Sequence, residues 1–141
     1  MRIFIVFMIT LFISGVVHAD YTMKNVYRFD NVDMIKNLDD SNISNLTVHG
    51  VAEDSNGNRS VSKCLIHVIN GVINGNCEGK DQDGDIEYTT VQRDLNKGNV
   101  GEITRLGGTG KYANKKSICE YTVQITDFKV GVGYLTATCK E

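Results

Sequence analysis

The feature that most constrains this chain is a series of short segments rich in Val, Ile, Thr and Tyr, separated by breaks of Gly, Asn and Asp. β-Branched and aromatic residues favour strands, and the breaks are typical of turns. The chain contains no Pro and no Trp. The predicted strands are 21–29, 43–53, 61–69, 72–79, 85–93, 98–106, 117–127 and 131–139.

Short connections between consecutive strands predict an antiparallel meander. An open meander would leave two edge strands exposed, and eight strands are enough to remove those edges by closure. We therefore predict an all-β fold, an eight-stranded β-barrel, with a β-sandwich of the same strands as the alternative. Such a barrel holds either packed side chains or one small ligand. Between the first two strands, Val32, Ile35 and Leu38 recur on one side and predict a helical turn over 31–38.

The first nineteen residues have the form of a signal peptide. Arg2 supplies the basic start, 3–13 the apolar stretch, and Ala19 ends a small-residue cleavage site. The apolar stretch is too short to span a bilayer, so no membrane span is expected after leader removal. We expect 20–141 to form a single domain of a secreted or periplasmic protein. The formal net charge of −2 argues against a nucleic-acid partner held by phosphate contacts.

Four cysteines in an oxidising compartment predict two disulfides. Asn70-Gly71 is a favoured type I′ hairpin turn, because both central positions need positive φ. Counting outward from that turn places Ile69 opposite Val72 and Cys64 opposite Cys77. The latter are a non-hydrogen-bonded pair, whose Cα atoms approach to about 4.5 Å, a distance that suits a disulfide.

A second hairpin, with its turn centred on Lys129, pairs the other two cysteines. In this register Cys119 faces Cys139, and one face of both strands is apolar throughout. The apolar pairs are Tyr121 with Ala137, Val123 with Leu135 and Ile125 with Gly133. A zinc or thiolate site is disfavoured, because the chain has no Cys-x-x-Cys motif.

The remaining motifs predict no metal, no cofactor and no catalytic residue. Asp81, Asp83 and Asp85 alternate as calcium ligands often do, but Ile86 stands where a calcium loop needs Gly, so a solvated turn is the favoured interpretation. Gly108-x-Gly110-x-x-Ala113 lacks the strand and helix of a dinucleotide site. His49 and His67 fall in separate predicted strands, and no Gly-x-Ser-x-Gly nucleophile motif occurs.

The sequence around Leu106-Gly107-Gly108-Thr109-Gly110-Lys111-Tyr112-Ala113 resembles the allene oxide cyclase and dirigent-like barrel families. In those families a Gly-Gly-Thr-Gly-x-aromatic turn joins two strands of an eight-stranded barrel. The preceding stretch from Cys77 to Asp85 is similar to one in small secreted bacterial members, so the resemblance covers about residues 75–125. It implies a barrel with a central cavity and carries no activity, because their catalytic positions find no match here.

These observations favour a non-enzymatic barrel that holds a small apolar or amphipathic ligand. The predicted ligand contacts are Tyr112, Tyr121 and Tyr134, with Gly107, Gly108 and Gly110 shaping the adjoining loop. Core filling by the same tyrosines is the alternative.

Two other functions stay open. One is an interaction or inhibitor protein that contacts an extracellular partner through the loop bearing Lys111, Lys115 and Lys116. The other is a cyclase or isomerase whose cavity holds a carboxylate or His with a shifted pKa.

Overall fold

A computed structural model describes residues 20–39 and 41–141 as a closed eight-stranded barrel. All neighbouring strands are antiparallel, and the first pairs with the last. The all-β class and the barrel are therefore confirmed over the sandwich. The strands are β1 (Tyr21–Lys36), β2 (Asn42–Asp54), β3 (Arg59–Ile69), β4 (Val72–Asp81), β5 (Ile86–Asp94), β6 (Val100–Gly108), β7 (Ser117–Asp127) and β8 (Val132–Lys140).

The predicted signal peptide lies outside the described residues. Within 20–39 and 41–141, no helix has the length and apolar character needed to cross a membrane.

Both predicted disulfides are present. Asn70 and Gly71 have φ values of 52° and 81°, as a type I′ turn requires, and Cys64 pairs with Cys77 in the β3–β4 register. The Cα atoms of that pair lie 4.0 Å apart, and those of Cys119 and Cys139 lie 3.9 Å apart. Two hairpins of the barrel are thus crosslinked across neighbouring strands.

The predicted register of the β7–β8 hairpin is correct from the disulfide to Val123 and wrong beyond it. Val123 pairs with Leu135, but Ile125 pairs with Tyr134, because one extra residue on β7 forms a β-bulge. The bulge turns Ile125 to the outer face, where it is 66% exposed. Thr126 takes the inner position opposite Gly133.

The predicted helical turn over 31–38 is wrong, because β1 continues to Lys36. A bulge with Asn31 at a φ of 51° shifts the register against β2, after which the two-residue period of a strand resumes. Val32 and Met34 therefore line the interior, whereas Leu38 lies in the following turn. The spacing of Val32, Ile35 and Leu38 fits the period of a helix, but hydrogen bonding to β2 makes the segment to Lys36 part of a strand.

The buried core occupies one side of the barrel, where β7 and β8 meet β1. Its buried members are Tyr21, Cys119, Tyr121, Ala137 and Cys139. Packing against one side leaves the rest of the interior unfilled, and this space contains the candidate site.

Candidate functional site

The barrel encloses a cavity of about 740 Å³. This volume lies within the range of small-molecule sites, which are about 300–1,000 Å³. Most of its wall surface is apolar, and the aliphatic side chains that contribute to it include Val48, Ile66, Val68, Ile73, Val91, Ile103 and Leu135. The interior therefore has room for one small molecule with a largely apolar body.

One end of the cavity has an apolar rim, which we call the apolar mouth: Val32, Met34, Leu95 and Phe128. These side chains line the cavity and are also exposed, Phe128 by 80%. Phe128 stacks on Phe29 with the ring centroids 5.8 Å apart. Exposed apolar side chains that continue a cavity wall are typical of an entrance for an apolar ligand.

The opposite end is lined by hydrogen-bonded charged and aromatic side chains, which we call the polar floor: Tyr21, Glu87, Arg105 and Tyr112. The buried Arg105 donates from Nε to Glu87 at 2.9 Å and from Nη2 to the Tyr21 hydroxyl at 2.7 Å. Its Nη1 donates to Glu141 at 3.0 Å, and its guanidinium lies 5.0 Å from the centroid of the Tyr112 ring. Each nitrogen of this guanidinium has a partner, as a buried cation requires.

A second cluster of charges holds Tyr112 in place beneath the floor. The Lys111 ammonium lies 2.7 Å from the Asp81 carboxylate, 3.0 Å from that of Asp83 and 2.8 Å from the Asn58 amide oxygen. Asn58 in turn donates to the Tyr112 hydroxyl at 2.9 Å. The cluster ties three loops together at this end of the barrel.

These contacts shift the pKa values of the cluster. Burial acts to raise the pKa of Asp81, but hydrogen bonds from Lys111 and from two backbone N–H groups hold it below its ordinary value. Asp81 correspondingly raises the pKa of Lys111. Burial raises the pKa of Tyr112 to about 12, against the hydrogen bond from Asn58, which lowers it. At neutral pH the phenol is therefore protonated.

The glycine-rich turn joins β6 to β7, as the resemblance implies, and it positions Tyr112. Gly110 has a φ of 48°, and a Cβ there would overlap the Asp85 carboxylate, which accepts the Lys111 backbone N–H at 3.0 Å. A Cβ on Gly108 would lie 2.8 Å from Cβ of Tyr112. These glycines therefore support a cavity-lining residue from outside the cavity.

The structure brings two of the three predicted tyrosines to the cavity. Tyr112 lies at the polar floor, and Tyr121, itself a buried member of the core, also lines the cavity wall. Tyr134 lies on the outer face of β8, paired with the exposed residues Val26 and Ile125.

Sequence analysis missed three polar residues of the cavity wall. Asn25 Oδ1, Arg93 Nε and Ser117 Oγ are buried and have no hydrogen-bond partner within 20–39 and 41–141. For Arg93 the sequence did contain a signal, because the alternation of a strand places Thr89, Val91 and Arg93 on the same face. Buried polar groups usually have partners, so unpaired ones that face a cavity indicate where a ligand can supply them.

The other candidate residues lie outside the cavity. Asp81, Asp83 and Asp85 are bonded to Lys111 or to backbone N–H groups, and the described part of the chain contains no set of three His, Cys, Asp or Glu side chains that could hold a metal. His49 lies on the outer surface 2.8 Å from Asp30, and His67 bonds to Asn45 there.

Comparison with known proteins identifies the fold as dirigent-like. The pterocarpan synthase dirigent protein GePTS1 matches with a TM-score of 0.53 and 12% sequence identity, over 87% of this chain and 90% of that one. The match confirms the dirigent-like barrel and does not single out allene oxide cyclases. No protein-family profile and no curated protein sequence matches the chain.

Proposed function

We propose that this protein is a secreted or periplasmic binding barrel that holds one small apolar or amphipathic molecule and does not transform it. The observation that carries the proposal is the cavity of about 740 Å³, with aliphatic walls and an apolar mouth. A natural core is close-packed, and an apolar space of this size leaves the side chains around it in contact with water. A ligand with an apolar body covers that surface and replaces the water.

The cavity tyrosines favour binding over proton transfer. Burial raises the pKa of Tyr121 to about 12, close to that of Tyr112. An effective general acid or base has a pKa near the working pH, so both phenols are poorly suited to that task at neutral pH. In this proposal the Tyr121 hydroxyl donates a hydrogen bond to the ligand, whereas the Tyr112 hydroxyl is held by Asn58 and Asp81 and serves to shape the floor.

The two disulfides support an oxidising compartment. The dirigent protein with a similar fold is named a pterocarpan synthase. That name associates this barrel architecture with a small organic molecule, and only the architecture transfers at this level of identity.

The protein-partner alternative depends on the loop lysines. Lys111 is occupied by Asp81 and Asp83, which leaves Lys115 and Lys116 as the exposed charges of that loop. The cavity therefore offers a more developed binding site than the loop.

The test is a titration with the uncharged dye N-phenyl-1-naphthylamine, whose fluorescence rises in apolar surroundings. We expect saturable binding to the wild-type protein. Val48→Trp places an indole inside the cavity and should abolish the signal, whereas Val51→Trp, on the outer face of the same strand, should leave it unchanged. Equal binding by both variants would place the dye on the surface and refute the proposal.

A further inference from the structure

Arg93 is a cation in the cavity wall that the protein itself leaves without a partner. Its Nε is buried, and its guanidinium forms no hydrogen bond or ion pair with the residues that the structure describes. It lies one residue before the end of β5, between Val91 and Leu95 on the inner face and near the apolar mouth. A guanidinium in such a wall loses hydration without regaining hydrogen bonds.

The acidic side chains of the cavity are committed elsewhere. Among the lining residues, the carboxylates are those of Asp54 and Glu87. Asp54 accepts the backbone N–H groups of Asn56 and Asn58, and Glu87 accepts the Nε–H of Arg105. The positive charge of Arg93 is therefore uncompensated inside the cavity.

A phenol donor lies beside this cation. Gln92 pairs with Glu102 and Gly101 pairs with Tyr121, so the strand register places Arg93 and Tyr121 on either side of Gly101, and both line the cavity. The guanidinium charge accordingly opposes the burial that raises the pKa of the phenol. Gly101 makes this proximity possible, because a Cβ there would lie 2.5 Å from both Cζ of Tyr121 and the carbonyl oxygen of Gln92. The phenol ring thus crosses β6 over a position that has no side chain.

A second phenol in the cavity wall, that of Tyr27, already has a partner within the protein. The Tyr27 hydroxyl is held by Thr126 at 2.7 Å. An arginine with an adjacent phenol matches the geometry of a carboxylate, which accepts several hydrogen bonds at once.

We propose that Arg93 and Tyr121 bind the carboxylate of an amphiphilic carboxylic acid whose apolar body extends along the aliphatic wall toward the polar floor. This inference rests on the proposed function and specifies its ligand class. It places the head group near the apolar mouth, because Arg93 lies at that end of its strand. The wall beyond Arg93 toward the floor continues with Val91 and Ile103.

The experiment compares dodecanoic acid with dodecanol as displacers of N-phenyl-1-naphthylamine, at about pH 8, where the acid is ionised. For the wild-type protein we expect the acid to bind at least about ten-fold more tightly than the alcohol, since a charge-assisted hydrogen bond gives a preference of that order. In Arg93→Met, the acid should lose about ten-fold or more in affinity, and the alcohol should change by less than about two-fold.

Arg28→Met is the matched control, because Arg28 is an exposed arginine of the outer face and its removal changes the net charge equally. It should leave both affinities unchanged. Tyr121→Phe should weaken the acid selectively and by less than Arg93→Met. Should Arg93→Met not fold, the comparison of acid with alcohol on the wild-type protein still decides the matter.

The outcomes separate this inference from the proposed function. Dye binding with no preference for the acid, or an equal acid loss in Arg28→Met, overturns the carboxylate site and leaves the binding barrel intact. An absence of saturable dye binding overturns both.

Discussion

Two arginines line the same cavity and differ in every interaction they make. Arg105 at the polar floor has partners for all of its guanidinium nitrogens, whereas Arg93 near the apolar mouth has none among the described residues. The contrast separates two tasks. At the floor, the arginine links β1, β5 and Glu141, whereas the unpaired arginine of the wall is the group that we propose a ligand engages.

The largest expected effect tests this contrast through stability. Arg105→Met leaves Glu87 and Glu141 without their cation, and breaking a buried ion pair costs about 3–5 kcal/mol. Arg93→Met removes an uncompensated charge and should change the free energy of unfolding by less than about 1 kcal/mol. Urea denaturation followed by circular dichroism measures both. Equal losses would show that Arg93 has a structural partner.

The two disulfides should differ in how much each contributes to the free energy of unfolding. Replacing either pair by Ala should cost about 3 kcal/mol, because the loops that they close are of similar length. The Cys119–Cys139 pair should cost more, since both of its cysteines are buried in the core, whereas Cys64 and Cys77 are only partly buried. Urea midpoints of the two double variants give the order. A reversed order would mean that the cavity side carries the greater stability.

A smaller effect is expected at Gly101, over which the Tyr121 ring lies. Gly101→Ala forces the Tyr121 ring away and should cost about 2 kcal/mol, in the range of overpacked sites. It should also weaken dodecanoic acid more than dodecanol, since the phenol leaves Arg93. Gly57→Ala is the comparison, because a Cβ there meets nothing within 4 Å, although its φ of 79° adds some strain. An unchanged acid affinity in Gly101→Ala would argue against a role for Tyr121.

The smallest effect concerns the charges beneath the floor, and it is measured as the pH falls. A carboxyl whose pKa is lower in the folded protein stabilises the fold above its unfolded pKa of about 3.9, and that contribution is lost as the pH falls through the folded pKa. Because Asp81 is such a group, the unfolding free energy should fall more steeply below about pH 4 in the wild-type protein than in Asp81→Asn. Lys111→Met should flatten the same part of the curve. Parallel curves for all three proteins would contradict the assigned ion pair.

Local chemistry predicted most of the fold. The Asn70-Gly71 turn sets one register and thereby one disulfide, and the alternation of apolar residues sets the other. The bulges after Asp30 and Val123 could not be predicted, because they depend on how neighbouring strands close around the barrel. A bulge needs only one extra residue, and nothing in the composition marks it.

The site was harder to predict from the sequence than the fold. The predicted register already places Tyr134 on the face opposite Leu135, and alternation places Arg93 with Val91, so both positions were implicit in the sequence. The partners of Arg105 come from β1, β5 and Glu141, and only the closed barrel brings them together. That Arg105 has partners and Arg93 has none among the described residues therefore depends on how the barrel closes.

The most direct test is native mass spectrometry of the protein isolated from the cells that produce it, before and after incubation with dodecanoic acid. The account predicts one small molecule bound per chain, lost on denaturation, absent from Val48→Trp and retained by Val51→Trp. The bare mass of the chain in the wild-type protein under both conditions, or the same bound mass in Val48→Trp, would contradict it.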